Sequence, residues 1–411
     1  GDWDYTGISL AFLTYIKIFG YQESCGKMPS QICEELSRIR PEVQNRLENA
    51  GTALLLEDDV KKPRFSFYTP GRVCAAFIHD SSAAASKWVY SHEYGRHILE
   101  NFTDGQVRTL SYENVRTDGE VDQAVEDAVR RGANVIFTTT PKLLLSSVRQ
   151  AALHPDVKIL NCSLNTSYPS VRTYYPRLYG AKFIKGAIAG TLTRDGCIGY
   201  VADYPTYGSI ASINAFAQGA RMVNANARIY LDWAHLRDGG AVGRLQAQGI
   251  VYIDYLDRLA ASTGTQMGNR HNLALIQTHW GRLYQSLVRR VMEGSWKQED
   301  QGSSAVNYWW GMEQGVVSVL CSRRLPTGPR RLAGVLREAL KADRLDPFYG
   351  VLMDQSGRVV YGDDAPMPAD RILSMNWLLT SVEGRIPQFE EFTEKAQELI
   401  KLQGVERQSE P

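Results

Sequence analysis

The sequence carries no surplus of either charge: 46 lysines and arginines stand against 45 aspartates and glutamates over 411 residues, a formal net charge of +1. Such a chain has no broad basic field, which argues against nucleic acid or an anionic membrane surface as its main partner. Cysteine is sparse and unpatterned. The six residues, Cys25, Cys33, Cys74, Cys162, Cys197 and Cys321, form no C-x-x-C pair, and several sit in apolar runs such as Val73 to Phe77. They read as small core residues rather than a disulfide framework or metal site, and they favour a reducing compartment.

Long apolar runs are missing as well. The N-terminal stretch Ile8 to Phe19 is interrupted by Lys17, and a spanning helix needs roughly 20 apolar residues. No basic leader or small-residue cleavage site precedes it, so the visible sequence favours a cytoplasmic location; an exported or membrane-anchored lipoprotein would need a leader upstream of Gly1. Neither a phosphate-binding Walker loop, nor a G-x-G-x-x-G turn, nor a G-x-S-x-G elbow occurs, which removes the usual scaffolds for nucleotide hydrolysis, hydride transfer and acyl transfer. His92-Glu93-Tyr94-Gly95-Arg96-His97 superficially resembles a zinc-protease helix, but its histidines are five apart. At about 100° per residue they stand on different faces, so no metal is expected there. Asp203 and Asp232 could be imagined as an acid and base pair, yet nothing in their spacing makes them converge. No catalytic residue and no cofactor is expected.

What is present is a regular alternation of short β-branched runs with helical patterns. Residues 1–69 read as a helical appendage and linker, with Ser30 placed to cap one helix and Pro41 to start the next. Strands are expected at Val73 to Ile78, Val107 to Tyr112, Val135 to Thr138 and Lys158 to Leu160, with helices at Lys87 to Leu99, Val121 to Arg131 and Leu143 to Ala152. This series, residues 70–193, makes a first lobe with a parallel sheet covered on both faces.

A second lobe, residues 194–300, opens after the break Thr193 to Gly196. It has strands at Cys197 to Ala202, Arg228 to Trp233 and Ile250 to Tyr255, and helices at Ile210 to Val223, Val242 to Gln248 and Leu283 to Met292. Asp257 to Asn272 reads as an irregular loop. Residues 301–411 return to complete the lobes, with a helix at Leu332 to Ala342, a hairpin at Val351 to Tyr361 and a charged helix from Phe389 to Leu402. The fold class is α/β: two doubly wound lobes with a hinge.

Ligands on such sheets bind beyond the carboxyl ends of the strands. Trp88, Tyr90, Tyr174, Tyr175, Tyr204, Tyr207, Trp233 and Trp280 all fall at or near predicted strand ends or the loops that follow. Flat side chains there either stack on a flat ring ligand or glue the lobes together.

Several stretches, in order, resemble the basic membrane protein (PnrA-like) family of purine and nucleoside receptors. They are Val73-Cys74-Ala75-Ala76-Phe77-Ile78, Trp88-Val89-Tyr90-Ser91-His92-Glu93-Tyr94-Gly95-Arg96, Asn134 to Thr139, Tyr174 to Tyr179 and Ile198 to Pro205. Ile213 to Phe216, Gly294-Ser295-Trp296-Lys297, Tyr308 to Met312 and Leu373 to Trp377 continue the series. The resemblance implies a type I periplasmic-binding-protein fold that holds a purine base or nucleoside between its lobes and usually delivers it to an ABC transporter. By position, Trp88 is similar to the family's base-stacking aromatic, with Tyr90 and His92 at the same mouth. Thr139, Thr140, Tyr175, Asp203, Tyr204 and Trp280 complete the implied ligand set.

Two departures stand out. Ala85-Ser86-Lys87 replaces the usual acidic residue and glycine, and between Asp254 and Trp280 a segment around Met267-Gly268-Asn269 replaces a βα unit that bears a ribose-binding aspartate. The signal-less subgroup with a ParB-like helical N-terminal region is the nearest resemblance, and it implies an intracellular sensor. A regulatory module with a vestigial cleft is the alternative expectation; a nucleoside-processing enzyme is a third.

Overall fold

The computed structural model describes residues 72–102, 105–164, 170–262, 270–294, 296, 307–362 and 365–405. The expected appendage and linker over residues 1–69 and the segment Met267 to Asn269 lie outside the described residues, as do Ser295 and Lys297.

The chain first lays down β1 (Val73–Ile78), α1 (Lys87–Phe102), β2 (Val107–Tyr112), α2 (Asp118–Arg130) and β3 (Val135–Thr138). A 3-10 turn, Pro141–Leu143, runs into α3 (Leu144–Leu153), followed by β4 (Lys158–Asn161) and β5 (Val171–Pro176). All six residues of β1 are buried. Val73, Ala75 and Phe77 enter one hydrophobic cluster while Cys74, Ala76 and Ile78 enter another. A strand apolar on both sides needs a layer on each, and the crossover helices supply them. Thr117 fixes where α2 begins: its hydroxyl accepts from Glu120 N, and the Glu120 carboxylate accepts in return from the Thr117 backbone.

The second part contains α4 (Tyr179–Leu192), β6 (Cys197–Ala202), α5 (Ser209–Val223), β7 (Arg228–Trp233) and α6 (Ala241–Ala247). Next come β8 (Tyr252–Tyr255), β9 (Arg258–Ser262), β10 (Arg270–Thr278), α7 (Trp280–Met292), β11 (Asn307–Trp310) and β12 (Val317–Cys321). The chain closes with α8 (Thr327–Lys341), β13 (Leu352–Met353), β14 (Val359–Tyr361), α9 (Ala369–Leu373), β15 (Val382–Glu383) and α10 (Glu394–Gln403). One sheet has the order β11-β5-β4-β3-β1-β2 and is parallel throughout. The other has the order β12-β10-β9-β8-β6-β7-β15. Its strands β8, β6, β7 and β15 run parallel, and β8, β9, β10 and β12 alternate in direction.

The path between sheets differs from the sequence reading. After β5 the chain leaves the first sheet at Arg177–Leu178, and α4 packs on α5 and α8 of the second lobe. The break read at Thr193 to Gly196 therefore lies at the far end of a helix already inside the second lobe. That helix is apolar all round, with ten of its residues buried, so its pattern carries no boundary signal.

The chain crosses back at His279, where α7 joins α1 in the first lobe, and β11 extends the first sheet beside β5. It crosses a third time between β11 and β12. The crossings are bonded to one another: Arg177 N donates to Trp310 O at 2.7 Å, and His279 N donates to Val316 O at 2.7 Å. Arg177 also pairs with Glu313 across this hinge.

Within the irregular loop expected at Asp257 to Asn272, the described residues are mostly strand, Arg258–Ser262 and the start of β10. Tyr255 pairs with Arg258 around a two-residue turn, Leu256–Asp257, with φ of 46° and 58°. That left-handed pair makes the hairpin twist match its strands, but Asn-Gly is the usual sequence for it, and Leu-Asp carries no turn signal. The helix expected from Phe389 to Leu402 is likewise interrupted. Phe392 leaves the helical region to lie fully buried beneath Trp233, with ring centroids 6.0 Å apart, and α10 starts only at Glu394.

Candidate functional site

The site is built from the loops that follow β1, β3 and β5 in one lobe and β6 and β8 in the other. Trp88 is the second residue of α1, directly after the loop leaving β1. Its indole Nε1 donates to Thr139 O at 2.7 Å, which fixes the ring against the end of β3 while 37% of the residue stays exposed. Tyr175, at the end of β5, lies nearly parallel to it, with centroids 6.3 Å apart and 27° between planes. His92 is one turn further along α1, on the same face as Trp88, and meets Trp88 edge-on at 4.7 Å and Trp280 at 3.9 Å.

Tyr90 stands apart. Two residues from Trp88 it is turned by about 200° around the helix, and it is 62% exposed. Helical periodicity therefore separates Tyr90 from the group it was expected to join at the mouth.

Under the aromatic group lies a polar chain. His79 reaches Thr139 Oγ1 through Nδ1 at 2.8 Å and Glu93 through Nε2 at 2.9 Å. Glu93 also accepts from Arg96 and from Ser111 Oγ. Burial pushes the Glu93 carboxyl up, but the bonds from His79, Arg96 and Ser111 outweigh it and hold it well below the usual carboxylate range. His92 is fully buried, and burial, helped by His79, lowers its pKa well below the ordinary histidine value. Its Nδ1 bonds to Tyr284 OH at 2.5 Å. Thr140 caps the 3-10 turn and its carbonyl accepts from Asn161 Nδ2 at 2.9 Å.

From the second lobe come Asp203 and Tyr204, after β6, and Asp257 in the β8–β9 turn. Burial raises the Tyr175 hydroxyl pKa well above its ordinary value, and charges on Cys162, Asp257, Asp203 and Tyr204 add to it. Tyr204 stacks on His235 at 4.5 Å with planes 3° apart, and His235 Nε2 lies 3.6 Å from Asp203.

Behind Asp257 sits a buried ion cluster. Lys182 Nζ lies 2.8 Å from both Asp254 and Asp257, and Lys185 pairs with the other oxygen of Asp254. Burial lowers the Lys182 pKa, but two carboxylates outweigh it and carry it well above the ordinary lysine value. Lys185 shares only one carboxylate and faces Lys182, so burial leaves its pKa depressed to about 8. This cluster ties α4 to the β8–β9 hairpin turn.

The structure thus gathers Trp88, His92, Thr139, Tyr175 and Trp280 in one lobe, while Asp203 and Tyr204 follow β6 in the other and pack on His235. Trp280 is almost wholly buried, and Tyr174 and Trp233 are core side chains; Trp233 Nε1 donates to Arg385 O at 2.8 Å. A concavity of about 180 Å³ lies elsewhere, beside the hinge pair Arg177 and Glu313. Among the described residues no group of three or more histidine, cysteine or acidic side chains is placed to hold a metal.

Sequence reasoning missed His79, Glu93 and the Lys182–Asp254–Asp257 cluster. One signal was present: Lys182 and Lys185 are two charges three residues apart inside an otherwise apolar helix, which demands buried partners.

Comparison with known proteins gives this geometry a context. A purine-binding protein of Brucella abortus (strain 2308) is 25% identical over 333 residues, covering 76% of this chain and 93% of that protein. The crystal structure of a transcriptional activator of the comK gene from Bacillus halodurans superposes with a TM-score of 0.52 at 16% identity, over 66% of this chain and 97% of that one. The architecture is the type I periplasmic-binding-protein fold. The profile of the ABC transporter substrate-binding protein PnrA-like family matches residues 72–261. That segment, which holds every candidate residue except Trp280, is similar to the PnrA-like ABC transporter substrate-binding proteins.

Proposed function

We propose that the protein binds a purine base or nucleoside-like molecule between its lobes, as a solute receptor or an intracellular sensor. The observation that carries this reading is Trp88, a large aromatic left 37% exposed at the strand ends, its indole anchored to Thr139 O and its plane close to that of Tyr175. A flat heteroaromatic ring gains stacking on such a surface while strand-end hydroxyls and carboxylates read its edge. The purine-binding relative from Brucella abortus supports the ligand class, and the family supports an ABC transporter as a downstream partner. Binding then favours the closed arrangement, because a ligand touching both lobes has little to hold when they part.

The test is a thermal-shift screen with adenine, guanine, hypoxanthine and their nucleosides. Ligand at 100 times its dissociation constant stabilises by about 2.7 kcal/mol. The expected result is a clear rise in Tm with one of these compounds, lost in Trp88→Ala. Flat curves with every purine defeat the proposal.

A second reading draws on the contacts among Trp88, His92 and Trp280, which already pack on one another. In that reading the aromatics serve as interlobe packing in a regulatory module. Flat curves together with a lower Tm for Trp88→Ala would select it.

A further inference from the structure

The segment 389–405 belongs to the second lobe by connection and by most of its bonds. Phe392 bridges Leu236, and Gly404 bridges Thr206, each as an antiparallel pair. Arg237 N donates to Glu391 O at 3.0 Å, Thr393 N to His235 O at 3.0 Å, Tyr207 N to Gln403 O at 2.9 Å and Val405 N to Pro205 O at 3.1 Å. Phe392 and Ala396 are buried against that lobe.

The same segment nevertheless lands on the first lobe at two points. Leu164 N, just beyond β4, donates to the Gln403 side-chain oxygen at 2.8 Å, with both groups buried. Lys142, in the 3-10 turn after β3, pairs with Glu398 at 3.1 Å on the surface. Both landings touch loops of the candidate site. Thr139 and Thr140 directly precede the turn that holds Lys142, and Asp203 and Tyr204 directly precede the Pro205–Thr206 stretch on which α10 is anchored.

We infer that α10 is a latch: a fourth, non-covalent tie between the lobes that holds them together without ligand and releases the first lobe when they separate. Release occurs on the first-lobe side because two side-chain bonds hold it there among the described residues, against backbone pairing and a buried ring on the other. The two contacts are unequal. An exposed ion pair contributes little, whereas Leu164 N is buried, and breaking its bond leaves a donor that must find water. That asymmetry makes Gln403 the catch and Lys142 a guide. Because both anchors are on site loops, release of the latch and access to the site are one event. The inference does not depend on which ligand is bound.

The test uses the full chain without ligand, comparing wild type with Gln403→Leu and with Lys142→Glu, by hydrogen exchange and small-angle X-ray scattering. The expected result is slow exchange at Leu164 in the wild type, accelerated about tenfold or more in Gln403→Leu, with an increased radius of gyration and a cooperative melt. Lys142→Glu shifts both readouts in the same direction by less, and the swapped pair Lys142→Glu with Glu398→Lys restores them. The surface swap remains decisive should Gln403→Leu fail to fold. Fast exchange at Leu164 in the wild type overturns the latch, as does a variant whose scattering superimposes on the wild type or a swap that restores nothing.

Discussion

In the first lobe every described strand runs parallel, and β1 to β4 are joined through helices, whereas the second lobe breaks off its parallel run at β8 and finishes with antiparallel strands. The site groups are positioned accordingly. Around Trp88 the support is a hydrogen-bonded chain, His79, Glu93, Arg96 and Thr139, whose members come from different strands and from α1. Around Asp257 the support is an ion cluster pressed between α4 and a hairpin turn. β8 runs into a two-residue hairpin turn and not into a crossover helix, and charge pairing with α4 holds that turn. A hydrogen-bonded chain tolerates loss of one member better than a cluster in which Lys182, Lys185 and Asp254 are all buried, because each unpaired buried charge costs several kcal/mol.

The strongest way to break the comparison is Asp254→Ala, which leaves two buried ammonium groups with Asp257 alone. The expected loss is about 4 kcal/mol in denaturant unfolding. A loss no larger than that of Thr139→Ala would mean that the cluster is not what fixes the hairpin.

Glycine contacts give the next largest effect. In the second lobe a Cβ at Gly219 would strike the backbone carbonyl of Phe183, while in the first lobe one at Gly281 would meet the side chain of Ile98. Backbone cannot yield as a side chain can, so Gly219→Ala is expected to cost about 3 kcal/mol and Gly281→Ala about 1 kcal/mol. Equal losses would remove the distinction between the two helix pairs.

The lobes should also part company with pH, at up to about 1.4 kcal/mol per pH unit for each proton involved. His92 and Glu93 both have lowered folded-state pKa values, so the folded state binds fewer protons than the unfolded chain. Stability is therefore complete above the ordinary values of 6.5 and 4.5, and is lost as pH falls below each. Lys185 is depressed to about 8 from 10.5, so its charge is a penalty below pH 8 that is relieved as pH rises toward 10.5. Glu93→Gln should flatten the acid limb and Lys185→Met the alkaline one in urea midpoints measured across pH. A Glu93→Gln protein with the wild-type acid limb would place the acid sensitivity elsewhere.

The effect that matters most for binding is expected at Trp88. Trp88→Ala strips a ring that is about two-thirds buried, and should cost about 3 kcal/mol while abolishing purine binding. A larger loss of stability with unchanged binding would show that the ring serves packing alone.

Much of this architecture was legible before any coordinates. β1 could be read because its apolar, β-branched run has the length and bounds of a buried strand, and α1 and α5 because their patterns repeat at helical spacing. Trp88, Thr139 and Asp203 could be placed at strand ends once those strands were drawn. Tyr90 illustrates the limit, since being near a strand end in sequence does not say which side of a helix a residue occupies. Trp280 shows another: an aromatic beginning a helix looked available, and its burial follows from α7 crossing back to lie on α1. The hairpin at Leu256–Asp257 was hidden because neither residue favours a left-handed backbone; Asp257 also pairs with Lys182, distant in sequence.

The sequence alone determined the strand and helix succession, the doubly wound class and the family likeness, because these rest on local periodicity and on motif order along the chain. Tertiary structure alone decided where the lobes exchange chain, which aromatics face the site, how two lysines inside an apolar helix find their carboxylates, and that the last helix ties one lobe to the other. Each of these is a contact between segments far apart in sequence, and local pattern carries no information about a partner until the sheets have assembled and brought it near.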